Sequence, residues 1–147
     1  MKLSFNGNEL YKGFNLVTSI VPSSAIKHIL QGIRFEVGDK KVELTATDLE
    51  VLVKYTLLAK ESVGDGSIVL PAVRVNNIFR EWAGNEEVLV SFDGSSCVLK
   101  SGKGYFKIAG EDSSQFPMIT ITDVKSFVEV DGGIISDMIG KVIHAAS

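Results

Sequence analysis

The chain opens on a short alternation, Lys2-Leu3-Ser4-Phe5, whose apolar members share one side, the two-residue period of a strand. Leu10, Phe14, Val17 and Val21 then recur at helical spacing behind Asn6 and Glu9, which stand three apart as a capping pair, and the pattern predicts a helix from about Asn8 to Ile20. Pro22, Ser23 and Ser24 end it, because proline restricts the residue before it and serines compete for backbone hydrogen bonds. Strand-like runs follow at His28 to Val37, Lys41 to Thr47 and Leu49 to Ala59. The short turns between them, Gly38-Asp39 and Thr47-Asp48, predict antiparallel hairpins.

After Gly64-Asp65-Gly66 the same order returns. Ser67 to Leu70 reads as a strand and Pro71 as a first-turn proline. Val75, Ile78, Phe79 and Trp82 then form the apolar stripe of a second helix that ends near Ala83-Gly84. Three more strands are expected at Glu87 to Phe92, Ser96 to Ser101 and Tyr105 to Ala109. A third round begins with a strand at Lys125 to Val130 and a helix striped by Ile135, Met138, Ile139 and Val142, with Asp131 as its cap. The strands that enter the three helices end near Phe5, Leu70 and Val130, so the pattern recurs after 65 and then 60 residues.

The repeating unit is strand, helix, strand, strand, strand. Residues 1–121 are expected to form one domain of two units, about 1–63 and 64–110 with a connecting segment, and residues 122–147 the first strand and helix of an incomplete second domain. Two such units side by side predict an α+β architecture of mostly antiparallel sheets. Both helices then lie on one face, with their polar backs free.

Composition narrows the chemistry. Forty-five per cent apolar residues in 147 can fill a core, and a net charge of −3 excludes a uniformly basic nucleic-acid binder but not a local basic face. Cys97 is the only cysteine, which excludes an internal disulfide or a multi-cysteine metal site and fits a reducing compartment. No run approaches the roughly 20 apolar residues a membrane span needs, so a soluble, cytoplasmic protein without membrane contact is expected.

Catalytic groups are not assembled. His28 and His144 lack partners at ligand spacing, so neither a metal nor a cofactor is expected. Asp48 with Glu50 reads more simply as a turn cap than as a carboxylate pair, and Ser101-Gly102-Lys103-Gly104 as a hairpin turn rather than a phosphate loop. These readings favour a binding protein over an enzyme. The predicted helices carry Lys12, Arg74, Arg80 and Lys141 against Glu9, Glu81 and Asp137. The rest of the chain holds 11 cations and 15 anions, so positive charge is enriched on the helical face.

Several segments in order carry a resemblance: MKLSF at the start, HILQGIRFEV, LTATDLEV at 44–51, GSIVLPAVRV at 66–75, LKSGKGYFKIAG at 99–110 and QFPMI at 115–119. Together they resemble the first domain of the bacterial sliding-clamp family, the DNA polymerase III beta subunits. The resemblance implies a DNA-clamp fold and a processivity factor without a reaction of its own. In that family a homodimer of three-domain subunits closes a ring around double-stranded DNA and tethers the replicative polymerase. It implies DNA-facing roles for Lys12, Lys27, Arg80 and Lys141. Ser24 stands where the family often has a basic residue, and His28 where it has proline.

The resemblance further implies a subunit interface built from Arg74, Ile78, Lys103, Tyr105, Phe106, Lys107 and Ile108, with the last strand pairing along its free edge. The residues alone leave open that Phe106 and Ile108 are core. The implied partners are duplex DNA, a second subunit, and polymerase and clamp loader held by further domains. These 147 residues by themselves are not expected to close a ring. A competing reading is a non-enzymatic protein-interaction domain of the same fold without DNA binding.

Overall fold

A computed structural model of the chain describes residues 1–119 and 128–146. In chain order the elements are β1 (Lys2–Phe5), α1 (Gly7–Thr18), β2 (Gly32–Gly38), β3 (Lys41–Thr47), β4 (Leu52–Leu58), β5 (Glu61–Val63), β6 (Gly66–Pro71), α2 (Ala72–Glu81), β7 (Val88–Phe92), β8 (Ser96–Ser101), β9 (Gly104–Ala109) and α3 (Gly132–Val142).

Every strand pairing is antiparallel. The first sheet runs β5-β1-β7-β8-β9 and the second β4-β3-β2-β6. The two repeats therefore interlock: β1 leaves its own repeat to pair with β7, Phe5 opposite Val88, while β6 crosses the other way to pair with β2, Leu70 opposite Ile33. Neither repeat holds a complete sheet alone, which makes the nine strands one body.

The core follows from the alternation. Leu3 and Phe5 on β1, Ile33 and Phe35 on β2, Leu44 on β3, Ile68 and Leu70 on β6 and Val88 and Val90 on β7 are all buried. Phe35 meets both Phe5 and Phe92 edge-on, at centroid distances of 6.3 and 6.0 Å, and so joins the two sheets. Leu10, Phe14 and Val17 of α1 and Val75, Ile78 and Phe79 of α2 cover that core, and Phe14 meets Phe79 edge-on at 5.1 Å. The two helices lie against each other, as the repeat predicts. Gly13 lets α1 approach β4, since a Cβ there would stand 2.5 Å from the Tyr55 ring.

Local departures from the sequence pattern have physical causes. Asn6 caps α1 through Oδ1, which accepts from the amides of Asn8 and Glu9, so the helix starts at Gly7. Residues His28–Gln31 form a 3-10 turn, and strand geometry begins only at Gly32. β4 starts at Leu52 because Leu49 holds a positive φ of 81° and the Asp48 carboxylate accepts from the amides of Glu50 and Val51. β5, only Glu61–Val63, was not expected; it is too short to show a period of its own and exists by pairing with β1. Pro71 is the residue before α2 rather than its first member, and α2 stops at Glu81.

The connecting segment after β9 returns to the outer face of the second sheet. Glu111 bridges Val69, and Phe116 packs with Val69 and Ile29 in a small second cluster, which accounts for the FP pair in the sequence. Of the strand expected at Lys125 to Val130, residues 125–127 lie outside the described residues and 128–130 have no regular structure. Asp131 caps α3 through the amide of Ile134. All of α3's apolar stripe is exposed, Ile135, Met138, Ile139 and Val142 included.

Candidate functional site

The packing of α1 against α2 decides which side chains face outward. Asn8, Lys12 and Asn15 stand exposed on α1, and Arg74, Asn77 and Arg80 on α2. Asn76 Nδ2 donates to Asn15 Oδ1 at 3.0 Å, a polar tie across the helix seam above the Phe14–Phe79 contact. Among the described residues no carboxylate lies within ion-pair distance of Lys12 or Arg74. Arg80 Nε approaches Glu81 only to 4.0 Å. Exposed cations with an amide-rich surround and no ordered pairing make a surface that attracts polyanions without reading sequence.

Arg74 lies exposed in the first turn of α2. It lines a cleft of about 510 Å³ between the first turn of α2 and the loop after α1, together with Pro22, Ser23 and His28. Lys27, exposed, precedes His28 on that same loop, and His28 Nδ1 lies 3.0 Å from Glu111 Oε1. Lys141 lies on α3 and is held by Asp137 at 2.6 Å, one helical turn away, so its charge is already partnered.

The residues expected at a subunit interface divide into three groups. Tyr105, Phe106 and Lys107 are exposed on β9, the outer strand of the first sheet, and Lys103 is exposed in the turn that leads into it. Ile108 is 1% exposed and Ile78 9%; both belong to the core, which corrects the expectation that their side chains pack across a junction. Inward alternation on β9 and the buried stripe of α2 place them there. Arg74 stands at the opposite end of α2 from Phe106, which packs on Trp82 at 5.6 Å just past that helix. Eight residues of helix separate the two positions by roughly 12 Å along the axis.

The backbone of β9 has a defined free side. Gly110 N–H donates to Ser95 O at 2.9 Å, and the register continues through Ile108–Cys97, Phe106–Leu99 and Gly104–Ser101. In an antiparallel ladder alternate residues point their N–H and C=O the other way, so those of Tyr105, Lys107 and Ala109 face outward from the sheet. The contact of Trp82 with Gly104 is not legible in the sequence, where Trp82 reads only as part of the helix-two stripe and Gly104 as part of a turn. A Cβ on Gly104 would stand 2.5 Å from the Trp82 ring, and no periodicity along one strand reveals that contact.

Among the described residues no reacting constellation competes with these surfaces. Asp48 spends its carboxylate on its own turn, and the amides of Val51 and Glu50 hold its pKa below the ordinary carboxylate value. Cys97 is buried, and burial, aided by the Asp93 charge, pushes its thiol up to about 12, where no thiolate exists at neutral pH. No group of three metal-ligating side chains occurs among the described residues, and no described helix is long and apolar enough to cross a membrane.

Comparison with known proteins agrees with this geometry. Residues 1–120 match the family described as DNA polymerase III beta subunit, N-terminal domain. The chain is similar to the beta sliding clamp of Haemophilus influenzae, 24% identical over 99% of this chain and 38% of that protein. It is similar to that of Synechococcus elongatus, 24% identical over 100% and 40%. Among solved structures, the DNA polymerase III beta subunit of Thermotoga maritima superposes with a TM-score of 0.87 at 31% identity, over 99% of this chain and 40% of that one. Pol III beta of Caulobacter crescentus gives 0.86 at 26%, over 96% and 38%. The chain spans about two fifths of the length of these relatives. With its interlocked repeats, paired helices and matched residues 1–120, the chain belongs to the DNA polymerase III beta-subunit family, and what it matches there is the N-terminal domain.

Proposed function

We propose that this chain is the first domain, with the start of the second, of a ring-forming sliding clamp, a non-enzymatic processivity factor that holds a replicative polymerase on duplex DNA. The observation that supports the reading is the packing of α1 against α2, with Lys12, Arg74 and Arg80 each exposed on these helices. Lys27 adds an exposed cation from the loop after α1. Such cations exchange one phosphate for the next at little cost, which suits a ring that must slide. Retention then comes from topology, since leaving the DNA requires the ring to open.

Closure falls to β9. Its outward N–H and C=O groups can continue the first sheet into a strand of a second subunit, and Phe106 adds apolar area beside them. Polymerase and clamp loader bind, in this proposal, to domains beyond these residues.

Binding of a labelled duplex of about 20 base pairs tests the DNA face. With three or four phosphate contacts, affinity should fall about 40- to 150-fold between about 50 and 200 mM salt, and triple reversal of Lys12, Arg74 and Arg80 to Glu should abolish it. Binding that ignores salt, or none at low salt, supports instead a protein-interaction domain that does not touch DNA.

A further inference from the structure

The face of the first sheet turned away from the helices carries a feature that neither the DNA face nor the β9 edge uses. Its outward side chains fall in two ranks across the strands. One rank reads Val63, Lys2, Ser91, Val98 and the next Glu61, Ser4, Leu89, Lys100, each member opposite its neighbour in the register. At the centre of both ranks stand serines, Ser91 and Ser4, where large side chains would level the surface. The result is a depression of about 310 Å³. Val63 is 69% and Leu89 42% exposed beside it.

The charges around the depression are unequal. Among the described residues neither Lys2 nor Lys100 has a carboxylate within ion-pair distance; Lys100 instead lies 5.3 Å over the Tyr105 ring. Among the described residues Glu61 is the only acidic one lining the depression, and nearby Glu87 is engaged by the Ser4 hydroxyl at 3.0 Å. A depression centred on two serines, with Val63, Leu89 and Val98 around it and two ammonium groups without ion-pair partners among the described residues, complements a ligand with an aliphatic group flanked by carboxylates.

We propose that this outer sheet face docks a short acidic-apolar peptide segment of a partner protein, its aliphatic side chain over Ser4 and Ser91 and its carboxylates on Lys2 and Lys100. A second copy of this chain, stacked so that Lys100 meets Glu61, is the alternative occupant that the test below separates. A nucleic-acid backbone carries the right charge but has nothing to place on Val63, Leu89 and Val98.

The probe is the peptide N-acetyl-Glu-Leu-Glu-amide, titrated into the isotope-labelled chain while backbone amide shifts are followed. Expected are saturable shifts centred on residues 2–4, 89–91 and 98–100, with a dissociation constant on the order of 1 mM or tighter. The double variant K2E/K100E should weaken binding about tenfold or more, as should Gln-Leu-Gln or Glu-Gly-Glu peptides. S91L, which fills the depression and leaves both lysines, should weaken it as well, with the thermal transition of each variant showing that it is folded. The proposal is overturned by no saturable shift, by shifts centred on another surface, by equal binding to K2E/K100E, by a duplex DNA producing the same shifts, or by shifts that track self-association of the chain.

Discussion

Two helices written in the same pattern have opposite fates. In α1, Leu10, Phe14 and Val17 are fully buried over β3 and β4; in α3, Ile134, Met138 and Val142 are 58%, 58% and 63% exposed. Both have a capping side chain and an apolar stripe. What α1 has, and α3 lacks among the described residues, is a sheet beneath it. An amphipathic pattern thus specifies a helix and the face it wants covered. Burial is supplied by strands, and in this fold some of those strands come from the neighbouring repeat.

The largest effect that would break this contrast is a core truncation. Phe35→Ala, at the joint of the two sheets, should destabilise the chain by ~3–5 kcal/mol, whereas Ile139→Ala on α3 should stay within about 0.5 kcal/mol. Urea denaturation followed by tryptophan fluorescence reads both, because Trp82 sits in the body. Equal losses would mean that α3 is packed against something.

Capping separates the regions at smaller scale. Asn6→Ala should cost the body about 1 kcal/mol by freeing the amides of Asn8 and Glu9. Asp131→Ala should lower helical circular dichroism and leave the main thermal transition in place. A common shift in both would join α3 to the cooperative unit.

Titration sharpens the comparison further. The Cys97 thiol has a folded pKa raised to about 12 from 9.0, so the folded state keeps its proton longer. Its contribution to stability is full below pH 9 and is lost as pH rises from there towards 12. Cys97→Ala should flatten the part of the alkaline decline that this thiol causes, seen as the difference between the two chains' denaturation curves. A thiol reagent should modify Cys97 at neutral pH only through opening of the body, while Ile139→Cys in the Cys97→Ala background should react at once. In acid the signs reverse: Asp48, Asp93 and Asp112, each lowered by the amides of its own turn, stabilise above the ordinary value of 3.8 and stop doing so as pH falls below it.

Much of the body was legible along the chain because alternation and helical spacing are local. Lys41–Thr47 and Ser96–Ser101 coincide with β3 and β8, and the Asn6 and Asp131 caps stand where the side chains implied. The exchange of β1 and β6 between repeats was not legible. It depends on register between residues more than 30 apart, and a repeat read along the chain suggests self-contained units instead. The exposed cations Lys12 and Arg80 were readable from helix phase. The resemblance groups Arg74 and Ile78 with β9, whereas the phase of α2 buries Ile78, and Arg74 stands at the end of α2 away from the Trp82–Phe106 contact.

The central claim is that the flank shared by α1 and α2 meets duplex DNA. Amide-shift mapping of the chain with a duplex at low salt addresses it most directly. The account predicts shifts along the exposed sides of both helices and the loop carrying Lys27, fading together as salt is added. Shifts confined to the outer sheet face, with the helices unmoved, would contradict it.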